Sequence, residues 1–130
     1  MVRLVPIRGG DPPKTLVLVR EGVQTLSDTA LEQACARTYE LMGLHGFSVL
    51  EVPEGGYQEL ARLRPLLRTR RRIMIASGRD LTTAGFALVP TMDYPHWTVV
   101  VSEPTSARFA LVRAQFSAPV LNPAYVSQRD

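Results

Sequence analysis

The segment from Tyr94 to Thr98 holds the residues best suited to proton transfer. His96 is one of only two histidines in the chain, and the ordinary pKa of an imidazole lies near neutrality. On an extended strand His96 and Thr98 share one face while Trp97 points to the other. Such a pair can bind a phosphate oxygen and move a proton. His96 and Thr98 are therefore the candidate catalytic residues; the alternative is a strand histidine in a structural hydrogen bond.

This His-x-Thr pair resembles one half of the site of phosphoesterases that use two His-x-Thr/Ser motifs. The other histidine, His45, precedes Ser48 by three residues, so the second motif is missing. The resemblance covers one motif of two, and we carry no activity over from it.

A second candidate site is an arginine cluster. Six arginines lie between Arg62 and Arg72, and no acidic residue occurs between Glu59 and Asp80. Guanidinium groups bind phosphates and carboxylates through a planar fork of donors. The predicted nucleic-acid or anion-binding residues are Arg64, Arg68, Arg70, Arg71 and Arg72. The structural alternative is a solvated basic helix end, which the helix dipole favours.

Three functions are compatible with these sites, and whether the chain is an enzyme stays open. The chain would bind RNA, and if the arginines and His96 share one surface it would also cleave RNA without a metal, with His96 as acid or base. Small ribonucleases of bacterial toxin–antitoxin pairs are similar in size and charge. The alternative is a protein-interaction module or accessory subunit, antitoxin-like or encoded by a phage or mobile element, whose arginines meet an acidic partner. A small-molecule pocket near His96 is a third interpretation.

Composition bounds these functions. The chain has 130 residues, 45% of them hydrophobic, and a net charge of +3; Lys14 is its only lysine. The single cysteine, Cys35, excludes an internal disulfide, and we expect neither a metal nor a cofactor. The sequence contains no apolar run long enough to span a bilayer and no secretory signal. We expect a soluble, cytoplasmic protein without a membrane partner, and a homodimer stays open.

The strands and helices predicted from the sequence, which must position these residues, indicate one α+β domain over residues 1–130. We expect one mixed sheet of about five strands covered by about three helices, in the order β-α-β-α-β-β-β-α. Irregular segments are expected at 1–13 and 118–130, because both are rich in proline. The strands are predicted at 14–20, 47–52, 73–76, 86–89 and 97–102, the first apolar on both faces and therefore central.

The first helix has the clearest pattern. Thr29 and Glu32 have the capping-box spacing, and Gly43 suits a left-handed end. Its predicted buried stripe comprises Leu31, Ala34, Cys35, Thr38, Leu41 and Met42. A second helix is expected to kink or end at Pro65. The last helix, over 105–116, is expected to bury Phe109, Val112 and Phe116.

Overall fold

The structure is a computed structural model that describes residues 12–18 and 27–127. Of the irregular arm predicted for 1–13, only Pro12 and Pro13 lie within the described residues. Of the strand predicted for 14–20, residues 19 and 20 lie outside them. Within the described part of this segment, Leu16–Leu18 form a short, fully buried strand.

One sheet of six strands organises the described chain. Its spatial order is β4-β5-β2-β1-β3-β6, and every pairing is antiparallel. The strands are β1 Leu16–Leu18, β2 Gly46–Glu51, β3 Arg72–Ala76, β4 Ala87–Pro90, β5 His96–Val100 and β6 Val120–Leu121. The α+β class is confirmed, and the order of elements matches the expectation apart from a further helix between β3 and β4 and a sixth strand at the end.

The pairing differs from the mixed sheet expected, for a topological reason. Strands β2 and β3 both run antiparallel to β1, so they are parallel to each other. A helix between two strands favours such a parallel arrangement. Because β1 lies between them, β2 and β3 never share hydrogen bonds, and each bonded pair is antiparallel.

Helices cover both faces of the sheet. They are α1 Asp28–Met42, α2 Gly56–Leu63, α3 Gly78–Thr83 and α4 Ser106–Arg113, with a 3₁₀ helix at Pro65–Thr69. The larger core includes Leu16, Leu18 and Phe109, whereas the smaller core, which α2 and the 3₁₀ helix cover, includes Val17 and Leu67. Strand β1 therefore contributes to both cores, as a central strand should. None of the described helices is long and apolar enough to cross a membrane.

Helix α1 departs from its prediction at two points. Its N-cap is Ser27, whose hydroxyl accepts a hydrogen bond from the Ala30 N–H at 3.0 Å, so the cap predicted at Thr29 was wrong. Leu41 is 74% exposed, because at 3.6 residues per turn it lies about 80° around the helix from Leu31. Gly43 ends the helix in the left-handed region with φ of 74°, as predicted.

The later elements follow the sequence pattern closely, with α3 and β6 as additions. Helix α2 ends before Pro65, and α4 buries Phe109 and Val112 as expected. Within the tail predicted to be irregular, Val120 and Leu121 form β6 and pair with β3. This two-residue strand becomes the last strand on one side of the sheet.

Candidate functional site

The side chains of Thr91, His96 and Thr98 form a hydrogen-bonded cluster between β4 and β5, which we call the β5 cluster. Thr91 Oγ1 lies 2.8 Å from His96 Nδ1 and 2.8 Å from Thr98 Oγ1. His96 and Thr98 thus share a face of β5, and Leu50, the partner of His96 on β2, packs against the smaller core. The Thr98 side chain has no exposed surface and Thr91 is also buried. The Thr98 hydroxyl therefore lies inside the fold, whereas His96 is half-buried.

Arg64 holds the loop that leads into this cluster. Its Nη2 donates to the carbonyl oxygens of Asp93 and Tyr94 at 3.1 and 3.3 Å, and its Nη1 donates to the Leu63 carbonyl. The loop contains a cis peptide bond between Tyr94 and Pro95. Of the predicted anion-binding arginines, Arg64 is therefore next to the His96 segment, but its donors are directed at backbone carbonyls.

The second histidine lies away from the first. His45 precedes β2, and its carbonyl oxygen accepts a hydrogen bond from the Val101 N–H, whereas His96 pairs with Leu50 at the other end of β2. The His45 ring lies against Tyr39 with 4.9 Å between centroids, and its buried Nδ1 has no hydrogen-bond partner. The two imidazoles are thus at opposite ends of the β2–β5 pair.

The next two arginines support the C-terminal segment. Arg68 Nη1 donates to the Ala61 carbonyl at 3.0 Å, and the Arg68 carbonyl accepts from the Val126 N–H at 2.9 Å. The Arg70 carbonyl accepts from Asn122 Nδ2 at 2.8 Å. Both arginines are half-buried, and their backbones form part of the scaffold that holds the chain end.

Asn122 is the residue that sequence reasoning missed. Its buried side-chain amide donates to the carbonyls of Leu67 and Arg70, and its Oδ1 accepts from the Ala124 N–H at 2.9 Å. Its backbone N–H donates to the Arg71 carbonyl. An asparagine between leucine and proline suggests only a turn, so its role depends on partners more than fifty positions away.

Arg71 and Arg72 are exposed beside the last strand. Arg72 pairs with Leu121 across β3 and β6, and because directly paired residues point to the same side, their side chains are neighbours. Arg72 also shares its face with Met74, which packs on the larger core. His96 lies on the opposite face, three strands away or about 14 Å across the sheet. Arg72 and His96 therefore do not meet.

We define the β6 edge as Arg71, Arg72, Val120 and Leu121. Within the described chain, no strand pairs with the outer side of β6. The Asn122 N–H donates to the Arg71 carbonyl, so the neighbouring pair, Arg72 and Leu121, is one that exchanges no backbone hydrogen bonds. The backbone N–H and C=O of Leu121 therefore point away from β3, to the outer side of the sheet. The Leu121 side chain is 61% exposed. This edge thus combines open backbone groups, an apolar side chain and two cations.

Other potentially reactive groups in the described residues are less suited to catalysis or to metal binding. Burial raises the pKa of the Cys35 thiol to about 11, which disfavours the nucleophilic thiolate at neutral pH. Among residues 12–18 and 27–127, no three His, Cys, Asp or Glu side chains lie together so as to hold a metal ion. The β5 cluster and the β6 edge are therefore the two candidate functional regions.

Comparison of the chain with protein-family models, with curated proteins and with solved structures finds no match in any of the three.

Proposed function

We propose that the chain is a protein-interaction module that binds an extended acidic segment of a partner protein at the β6 edge. The observation that carries the proposal is the exposed cross-strand pair formed by Leu121 on β6, the last strand of the sheet, and Arg72 on β3. A partner strand that adds to such an edge gains main-chain hydrogen bonds, here from Leu121, and its side chains supply specificity. Apolar partner residues would contact Leu121, and carboxylates would pair with Arg71 and Arg72.

Charge indicates the kind of partner. Residues 60–79 include no aspartate or glutamate, so Arg71 and Arg72 have no acidic neighbour in the local sequence. A second copy that paired through β6 would bring its own Arg71 and Arg72 to the same interface, and this accumulation of positive charge opposes association. The net charge of +3 adds to this repulsion. An acidic partner fits this edge better than a homodimer does.

Exposed apolar groups favour a protein over RNA. Leu121 is 61% exposed, and Leu66 in the neighbouring 3₁₀ helix is 71% exposed. Protein interfaces bury such side chains at their centres, whereas single-stranded RNA is bound by aromatic rings that stack on its bases. None of the four residues of the β6 edge is aromatic.

RNA is the second candidate, because the acid-free arginine stretch from 60 to 79 would attract phosphates. Such binding would use Arg71 and Arg72 and would weaken steeply as salt rises. The proposal does not include RNA cleavage by a toxin-type mechanism. That mechanism needs the arginines and His96 at one phosphate, and Arg72 and His96 lie on opposite faces of the sheet.

Selection from a randomised displayed peptide library tests the proposal. We expect the full chain to enrich peptides in which acidic residues alternate with apolar ones. The selected peptide should lose affinity for both Arg72→Ala and Leu121→Ser, by about tenfold each. Arg37→Ala, which removes an exposed arginine from α1, is the matched control and should bind as the wild type does.

The two variants also separate protein from RNA. Loss of RNA retention with Arg72→Ala but not with Leu121→Ser, together with no enrichment of acidic peptides, would replace the proposal with its RNA alternative. Enriched peptides that bind Leu121→Ser and Arg72→Ala as tightly as the wild type would place the interaction elsewhere on the chain.

A further inference from the structure

A cavity of about 410 Å³ lies beyond the other end of β3. It is lined by Pro12, Pro13, Lys14, Ser77 and Arg79, which come from the chain before β1 and from the start of α3. Ligand sites for small molecules are typically clefts of about 300–1,000 Å³. The cavity is thus large enough for a compact metabolite.

A close backbone approach joins the two walls of this cavity. The Gly78 N–H donates to the Pro13 carbonyl at 3.1 Å. A Cβ added at Gly78 would collide with that same carbonyl oxygen, so a glycine allows the chain before β1 to lie directly against α3. The walls are therefore held in place by the fold and not by a ligand.

Two cations, Lys14 and Arg79, line the cavity. Lys14 and Arg79 are exposed, and neither forms an ion pair with any residue in the described part of the chain. No acidic side chain is among the described residues that line the cavity. Elsewhere in the described chain Arg62 pairs with Glu59 and Arg113 pairs with Asp28.

Ser77 adds a hydroxyl to the two cations. Its Oγ accepts a hydrogen bond from the Asp80 N–H at 3.3 Å, which leaves the hydroxyl hydrogen able to donate. An anion in the cavity would thus meet an ammonium, a guanidinium and an O–H donor, and charge-assisted hydrogen bonds to phosphate are among the strongest in proteins. The rings of Pro12 and Pro13 offer an apolar wall to the carbon part of such a ligand.

We propose that this cavity binds a small phosphate monoester, with Lys14 and Arg79 on the phosphate and the proline rings against the remainder of the molecule. The described lining contains no aromatic ring that could stack on a base, so a sugar phosphate fits it better than a nucleotide. The site is independent of the β6 edge, because β3 separates the two by its five-residue length, about 13 Å.

Titration of the full chain with glucose 6-phosphate, inorganic phosphate and glucose, followed by amide NMR shifts and calorimetry, tests the inference. We expect glucose 6-phosphate to bind, inorganic phosphate to bind more weakly and glucose not to bind. Lys14→Ala and Arg79→Ala should each weaken binding by at least about tenfold. Arg37→Ala removes the same charge from α1 and should leave binding unchanged.

The shifts should centre on residues 77–79 and on Lys14. No saturable binding at millimolar ligand would overturn the inference. So would an equal loss in Arg37→Ala, because it would show that only net charge matters. Circular dichroism of each variant confirms that a loss of binding is not a loss of fold.

Discussion

The β5 cluster and the β6 edge treat their polar groups in opposite ways. In the cluster, the hydroxyl of Thr91 links His96 to Thr98 inside the fold. At the edge, Arg72 and Leu121 extend side by side into solvent. Polar groups that the fold satisfies internally contribute to its stability, whereas groups that it leaves open are available to a partner. The cluster therefore stabilises the fold, and the edge is the region that we propose for binding.

The arginine cluster contains the same contrast within itself. Arg64 and Arg68 direct donors at the carbonyls of Tyr94 and Ala61. Arg71 and Arg72 are exposed. One run of arginines along the chain thus divides into residues that hold the fold and residues that face solvent.

The largest loss of stability is expected where the scaffold supports the edge. Asn122→Ala removes the amide that satisfies the carbonyls of Leu67 and Arg70 and the Ala124 N–H. We expect the free energy of unfolding to fall by about 2–3 kcal/mol, measured by urea denaturation. Gln115→Ala, which removes an amide that bonds only within the α4 region, should change it by about 0.5 kcal/mol or less. Equal losses in both variants would contradict the role of Asn122.

A smaller loss tests the β5 cluster. Thr91→Val keeps the shape of the side chain but removes the hydroxyl that contacts the buried Thr98 hydroxyl and His96 Nδ1; the Thr91 carbonyl, 3.2 Å from that nitrogen, remains. We expect a loss of about 1–2 kcal/mol, whereas Thr82→Val on the exposed side of α3 should be nearly neutral. If Thr91→Val is as stable as the wild type, the cluster is not structural and its assignment fails.

Replacing Arg64 should loosen the loop that contains Asp93 and Tyr94 more than it lowers the stability of the whole fold. Replacing it with lysine substitutes one ammonium for the fork that reaches the carbonyls of Asp93 and Tyr94. We expect a stability loss of about 1 kcal/mol, since this interaction is partly solvent-exposed. Hydrogen exchange of the His96 N–H, which donates to the Asp93 carbonyl, should become faster. An unchanged exchange rate of the His96 N–H would show that Arg64 does not hold this loop in place.

The smallest effect concerns pH and the contact between α1 and α4. The hydrogen bond from Arg113, and secondarily one from Ser106, lowers the pKa of Asp28 from its ordinary 3.8. Ionised Asp28 therefore stabilises the fold above pH 3.8, and this contribution disappears as pH falls through the lowered pKa. Asp28→Asn should lower Tm slightly at pH 7 and should match the wild type at pH 2. A constant difference at both pH values would contradict this linkage.

Local signals predicted most of the elements, and long-range contacts decided the rest. Gly43 and Pro65 end helices for reasons contained in their own backbones. The role of Asn122 and the existence of β6 depend on carbonyls of the 3₁₀ helix and on β3, which no local pattern contains. For the same reason the sequence could identify an arginine cluster but could not show that Arg64 turns inward while Arg72 stays exposed.

The affinity of the selected acidic peptide for three variants tests the central claim most directly. Leu121→Ser and Arg72→Ala alter the β6 edge, and His96→Ala alters the β5 cluster on the opposite face. Calorimetric titration should show about tenfold weaker binding for the first two and wild-type binding for His96→Ala. Wild-type binding by Leu121→Ser and Arg72→Ala, with loss in His96→Ala, would contradict the account and return the function to the β5 cluster.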